Sequence, residues 1–119
     1  AFWRNRHYFT RTFGDVSIPA ERAEMLRNSP VSYLDQIQAP LLVIHGANDI
    51  RVLRQDSDDV VNALRQRGHP VGYLLFENEG HSISKWRNRL AMWREVEDLF
   101  ADCLGGRSAG FDYYQLMPR

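Results

Sequence analysis

At 119 residues the chain has the size of one domain, and its 44% hydrophobic content is ordinary for a globular protein. Fifteen Lys and Arg balance fifteen Asp and Glu, so nothing in the charge points to a nucleic acid or to an acidic tail. No apolar run has the length of a membrane span, no secretory leader pattern opens the chain, and the one cysteine, Cys103, excludes an internal disulfide framework or a multi-cysteine metal site.

In residues 1–16, Trp3, Tyr8, Phe9 and Phe13 alternate with Arg4, Arg6, His7 and Arg11. Interleaved aromatics and bases can line a nucleic-acid surface. With no net charge overall, the preferred reading is a loop or short helix whose aromatics pack inward while the arginines reach solvent. Ser17-Ile18-Pro19 opens a helix over Ala20 to Arg27, and Asn28-Ser29-Pro30 stops it. Val31 to Ala39 connects onward, with Tyr33, Leu34 and Ile37 expected inside.

Leu41-Leu42-Val43-Ile44-His45 follows Pro40 and precedes the turn signal Gly46-Ala47-Asn48-Asp49. A short unbroken apolar run bounded in this way predicts a strand buried on both faces, as in a parallel sheet. Gln55 to Gln66 predicts the crossover helix. Asp56, Asp58 and Asp59 lie near its start, Arg65 and Arg67 near its end, Val60, Val61 and Leu64 on one face, and Gly68 at its C-cap. Val71 to Phe76 is a second strand, completing a βαβ unit whose crossover should be right-handed. Beyond it, Trp86, Leu90, Trp93, Val96, Phe100 and Cys103 recur at helical steps, which predicts a long helix packed on a core, capped by Ser82 or Ser84 and ended by Gly105-Gly106. The tail, with Phe111, Tyr113, Tyr114 and Met117, is apolar enough to dock.

Open α/β sheets carry their chemistry at the carboxyl ends of their strands. Asp49 follows the first strand and His81 the second, on Glu77-Asn78-Glu79-Gly80-His81. A carboxylate that accepts a proton from one imidazole nitrogen fixes the ring's tautomer and frees the other nitrogen to act as a base. Acid then histidine is the order of the second and third triad members in α/β-hydrolases. Gly46 and Gly80 give the two loops room for sharp turns. His45 reads as structural, hydrogen-bonded near the site. Arg51 reads as a surface arginine, with a substrate carboxylate or the chain's own acid as its functional alternative, and no partner is evident for His7 or His69.

The nucleophile is absent from this pattern. Gly106-Arg107-Ser108-Ala109-Gly110 matches G-x-S-x-G, but that motif needs a strand before its serine and a helix after it. Here a helix precedes the serine, which also comes after the histidine, so Ser108 reads as a solvated turn. Ser17, Ser29, Ser32, Ser57, Ser82 and Ser84 lack an elbow context as well. His45, Asp49 and His81 together are also a donor set suited to Zn²⁺ or Fe²⁺; the triad reading takes neither metal nor cofactor.

Ser29-Pro30, Tyr33, Ala39-Pro40-Leu41-Leu42, His45-Gly46-Ala47-Asn48-Asp49-Ile50-Arg51-Val52 and Glu79-Gly80-His81 resemble, in order and spacing, the C-terminal part of the prolyl oligopeptidase family of serine peptidases. The match runs from about Ser29 to Gly105; residues 1–28 and the tail match weakly. The resemblance implies an α/β class, as the C-terminal portion of an α/β-hydrolase fold with parallel strands, crossover helices and an incomplete sheet. It places the catalytic acid on Asp49, the catalytic histidine on His81 and the serine upstream of Ala1. Ile50 stands where the family commonly has proline, a difference that affects a turn and not the acid. The dipeptidyl, acylaminoacyl and oligopeptidase branches share these residues.

Residues 1–119 are therefore expected to be a C-terminal fragment of a peptidase catalytic domain. The absence of an initiator Met and the two open sheet edges favour the same reading. Its partners would be a peptide substrate and the remainder of the hydrolase domain, with no nucleic acid and no membrane. The chain alone would lack triad activity. One cysteine is compatible with a reducing compartment such as the cytoplasm. The alternatives are another α/β-hydrolase, such as an esterase or a dienelactone-hydrolase-like enzyme, and a non-catalytic module that self-associates through its open edges.

Overall fold

The computed structural model describes residues 2–110, with the backbone alone for residues 2–6. The side chains of Trp3, Arg4 and Arg6 and the apolar tail from Phe111 lie outside the described residues. The chain forms two compact units, Ala1–Gln38 and Ala39–Arg119.

In the first unit, α1 (Phe2–Phe13) is a regular helix where a loop or short helix was expected. Its described aromatics do not pack inward: Tyr8, Phe9 and Phe13 are each at least half exposed. Phe9 and Phe13, four apart on one helix face, stack on each other with centroids 5.9 Å apart, and Tyr8 meets Phe9 edge-on. Gly14 then takes a φ of 113° that only glycine adopts freely. Asp15 accepts from the Ser17 N–H and hydroxyl, and Glu21 reaches back to the Asp15 N–H. α2 (Pro19–Arg27) begins on the expected proline, and a 3₁₀ segment, Pro30–Gln36, follows. Tyr33 is 40% exposed rather than buried, with its hydroxyl donating to the Arg27 carbonyl at 2.6 Å, while Leu34 and Ile37 are half-buried.

The second unit is the βαβ. β1 (Leu41–Gly46) and β2 (Val71–Phe76) pair in parallel, in register from Leu41 opposite Val71 to Gly46 opposite Phe76. α3 (Arg54–Gln66) crosses between them and buries Val61 and Leu64, which at 1% and 0% exposure are the most enclosed apolar side chains described. Each contributes roughly 2 kcal/mol by leaving water. α3 stops on paired bonds, His69 N–H to the Leu64 carbonyl and Gly68 N–H to the Arg65 carbonyl, with Gly68 at a φ of 68°. That is a Schellman closure, and it turns the chain into β2. Tyr73 of β2 donates to Asp58 of α3 at 2.8 Å, fastening helix to sheet.

Two expectations fail here for one reason. β1 is half-buried from Leu41 to Ile44, not enclosed on both faces, and the apolar stripe of α4 (Trp86–Leu104) is largely uncovered. Trp86, Trp93 and Phe100 are each more than half exposed. A two-stranded sheet offers too little surface to cover a 19-residue helix as well as α3. α4 ends at Gly105 as expected, and Gly105 takes a left-handed conformation.

Candidate active site

Asp49 and His81 meet. The Asp49 loop follows β1 and the His81 loop follows β2, and the parallel register sets both at the same end of the sheet. His81 Nδ1 donates to Asp49 Oδ2 at 2.8 Å. The other carboxylate oxygen, Oδ1, accepts from the backbone N–H groups of Arg51, at 2.7 Å, and Val52, at 3.1 Å. Burial of the carboxyl, whose side chain is only 6% exposed, pushes its pKa up. The Arg51 N–H, His81 and the Val52 N–H outweigh this and hold Asp49 at about 2. The acid is therefore ionised at neutral pH, and the imidazole it holds is 46% exposed.

The two loops are sewn together through backbone. Ala47 N–H donates to the Phe76 carbonyl and Asn48 N–H to the Glu79 carbonyl, both at 2.9 Å, while Asn48 Nδ2 donates to the Glu77 carbonyl at 2.8 Å. Gly46 is required by this approach rather than by a sharp turn. A Cβ there would lie 2.1 Å from the Gly80 carbonyl oxygen, and neither Gly46 nor Gly80 has a positive φ.

Neither Ser82 nor Ser84 caps α4, whose N-cap position is Lys85 with no side-chain cap bond; Glu79, 3% exposed, instead ties down the segment that leads into the helix. Its carboxylate accepts from the Ser84 and Lys85 N–H groups, the Ser84 hydroxyl and Asn88 Nδ2. Burial pushes its pKa up, but these donors, Asn88 first, bring it down to about 2. A carboxylate at a helix N-terminus also answers the helix dipole.

His45 is buried, with Nδ1 2.7 Å from the Ser57 hydroxyl oxygen and Nε2 3.9 Å from Asp49 Oδ2. Among the described residues no group of three His, Cys, Asp or Glu side chains is placed to hold a metal ion, His45, Asp49 and His81 included. His69, for which the sequence suggested no partner, meets the Ala39 carbonyl through Nε2 at 2.8 Å. Arg51 is exposed and serves the site through its backbone N–H. Ser108 lies in an exposed irregular segment after α4, where its hydroxyl meets Asp98, and the element directly before it is a helix, not a strand.

Residues 2–107 match the family model of the prolyl oligopeptidase family. The chain belongs to the prolyl oligopeptidase family. It is 39% identical over 98 residues to dipeptidyl aminopeptidase BIII of Pseudoxanthomonas mexicana, covering 82% of this chain and 14% of that protein. It is 38% identical over 63 residues to the human acylamino-acid-releasing enzyme, covering 53% of this chain and 9% of that enzyme. Among solved structures, the acylaminoacyl peptidase of Pyrococcus horikoshii superposes with a TM-score of 0.62 at 26% identity, over 77% of this chain and 16% of that one. The βαβ unit and α4 are thus part of an α/β-hydrolase fold, and this prolyl oligopeptidase family chain spans about one seventh of the length of the first of these relatives. No helix of the described residues is long and apolar enough to cross a membrane.

Proposed function

We propose that residues 1–119 form the C-terminal part of the catalytic domain of a serine peptidase, contributing the acid and the base of its triad. The observation that carries this is the His81 Nδ1 to Asp49 Oδ2 bond of 2.8 Å, made to a carboxylate whose other oxygen is tied to two backbone N–H groups. Asp49 keeps the proton on Nδ1 and stabilises the imidazolium that forms during turnover. Nε2 takes the proton of a serine hydroxyl as it attacks a peptide carbonyl, then returns it to the leaving amine. That serine lies upstream of Ala1, on an elbow supplied by the remainder of the domain, and a peptide is the substrate.

The remainder of the domain also covers what this chain leaves open, the edges of β1 and β2 and the aromatic face of α4. Replacing His81 by Ala in the peptidase containing the whole domain abolishes acyl-enzyme formation. Turnover close to that of the unaltered enzyme would rule out the assignment. The region upstream of Ala1 separates the peptidase from an esterase of the same fold, since a further domain-sized segment before the elbow supports the former and a start codon close before the elbow the latter.

A further inference from the structure

The carboxylate oxygen that holds His81 faces a second imidazole. Asp49 Oδ2 lies 2.8 Å from His81 Nδ1 and 3.9 Å from His45 Nε2. His45 and Asp49 have side chains only 7% and 6% exposed, and His45 Nε2 is a buried nitrogen with no hydrogen-bond partner among the described residues. A buried polar atom without a partner is costly, so its persistence beside a charge calls for an account. The tautomer supplies one. If His45 carried its proton on Nδ1 and donated to Ser57, a bare Nε2 lone pair would face an ionised carboxylate in a nearly dry site. If the Ser57 hydroxyl donates to Nδ1 instead, the proton sits on Nε2 and its positive end faces Asp49 Oδ2. The second arrangement is favoured by the charge of Asp49, and the 2.7 Å distance between the Ser57 hydroxyl on α3 and His45 Nδ1 accommodates it.

We propose that His45 is a positioning residue for the acid: Ser57 sets its tautomer, and its Nε2–H restrains the Asp49 oxygen that orients His81. This rests on the catalytic reading of Asp49 and His81. It adds to that reading a Ser57–His45–Asp49–His81 chain in which α3, through Ser57, helps hold the acid. At 3.9 Å the contact is longer than a hydrogen bond, so the Nε2–H acts on Asp49 Oδ2 as an oriented dipole beside a charge. Because the residue it restrains orients the base and does not bind the substrate, its effect falls on the chemical step more than on substrate binding.

The test is made in the peptidase containing the whole catalytic domain, with rates normalised to active sites counted by a covalent serine reagent. His45→Asn keeps a group near Ser57 but cannot reach Asp49, whereas His45→Gln sets an amide N–H close to the place of Nε2. His45→Asn is expected to lower kcat roughly tenfold with KM little changed, as loss of a restraint that acts in the chemical step does. His45→Gln recovers most of that loss, and Ser57→Ala lowers kcat to an intermediate value. Selective ¹⁵N-histidine labelling of the unaltered enzyme reads the ring directly, with Nδ1 of His45 unprotonated. The proposal is overturned by a protonated Nδ1, by an unchanged kcat in His45→Asn, or by equal losses in the Asn and Gln variants, which would mark a purely structural residue. His81→Ala, run alongside, keeps the two readings apart. If it is inactive while His45→Asn is normal, only the role of His45 falls; if it stays active, the triad assignment falls as well.

Discussion

Gly46 and Gly80 pass so closely that a single added methyl on Gly46 would stand 2.1 Å from the Gly80 carbonyl oxygen and 2.8 Å from the Glu79 carbonyl. Both obstacles are backbone, so no side chain can swing away. The contact lies between the strand end that leads to Asp49 and the loop that leads to His81, and it sets how near the two can come. Gly46→Ala is therefore expected to cost about 3 kcal/mol or more of stability, the upper end of overpacking penalties. It should also separate the acid from the base. Thermal unfolding of the variant, with turnover of the whole peptidase, checks both effects. A variant as stable and as active as its parent would contradict the packing described here. Gly80→Ala is the milder change, because a Cβ there meets only the Asn48 carbonyl oxygen, at 3.7 Å.

What the sequence made legible follows from how each feature is encoded. β1, α3 and β2 are local patterns of hydrophobicity and caps, and their positions agree with expectation to within about one residue, α3 starting at Arg54 rather than Gln55. The acid–histidine pairing was legible too, since parallel neighbouring strands bring their following loops together. Contacts across the fold left less trace. Nothing in a helical serine twelve residues from His45 announces the Ser57 contact. Glu79 carries no local signature of its role, because its hydrogen-bond partners lie five to nine residues ahead, beyond the spacing of a capping box. The stripe on α4 has the periodicity of a core helix, yet periodicity records which face is apolar and not what covers it. Similarly, the α1 aromatics read as inward because aromatic content alone does not distinguish stacking along a helix from burial.

Asp49→Asn preserves the shape of the acid and removes its charge. The amide can present either an oxygen or an N–H to His81, and the N–H would select the wrong tautomer of the ring. In the peptidase, kcat is expected to fall by roughly 10³- to 10⁴-fold with a much smaller change in KM, the size seen when a triad loses its acid. Because both residues act as one unit, Asp49→Asn combined with His81→Ala should cost little more than His81→Ala alone. Additive losses measured by steady-state kinetics would mean that the two residues act separately.

The pH dependence of stability follows from the two depressed carboxyls. Asp49 and Glu79 titrate at about 2 in the fold, below their ordinary values of 3.8 and 4.5. The unfolded chain therefore binds these protons first as acid is added, and stability falls with pH. The contribution is complete above the unfolded values, at pH 5 and higher, and is lost progressively toward pH 2. Acid titration followed by circular dichroism should show this loss. Glu79→Gln removes one of the two groups and should flatten the acid limb while lowering stability at neutral pH, where its donors at the start of α4 lose their charged acceptor. An acid limb as steep as before would show that Glu79 is not among the groups responsible.

Leu64 tests the core of the βαβ unit. With no exposed surface, it sits where α3 meets the sheet, and truncation to Ala removes apolar contacts and leaves a void that rigid neighbours fill only in part. Leu64→Ala is expected to cost about 3 kcal/mol, read as a lower denaturant midpoint at unchanged slope. Val61→Ala, at the neighbouring buried position, should cost less because fewer methyl groups are lost. If Leu64→Ala unfolded at the same midpoint as the parent, the packing of α3 on the sheet would have to be revised.

Ser108 carries the opposite expectation. Its G-x-S-x-G surroundings match the pattern of an esterase or peptidase nucleophile, yet the serine sits in an exposed irregular segment behind α4, with its hydroxyl on Asp98. A reactive serine of this motif stands on a strained strand-to-helix elbow beside a base, whereas Ser108 follows a helix and meets the Asp98 carboxylate. Ser108→Ala in the whole peptidase should leave kcat and KM unchanged, and a fluorophosphonate reagent should label the variant as fully as the parent. Because His81 would still be present, loss of labelling could not be blamed on the base. It would move the nucleophile into this chain and overturn the proposal that the reacting serine lies upstream of Ala1.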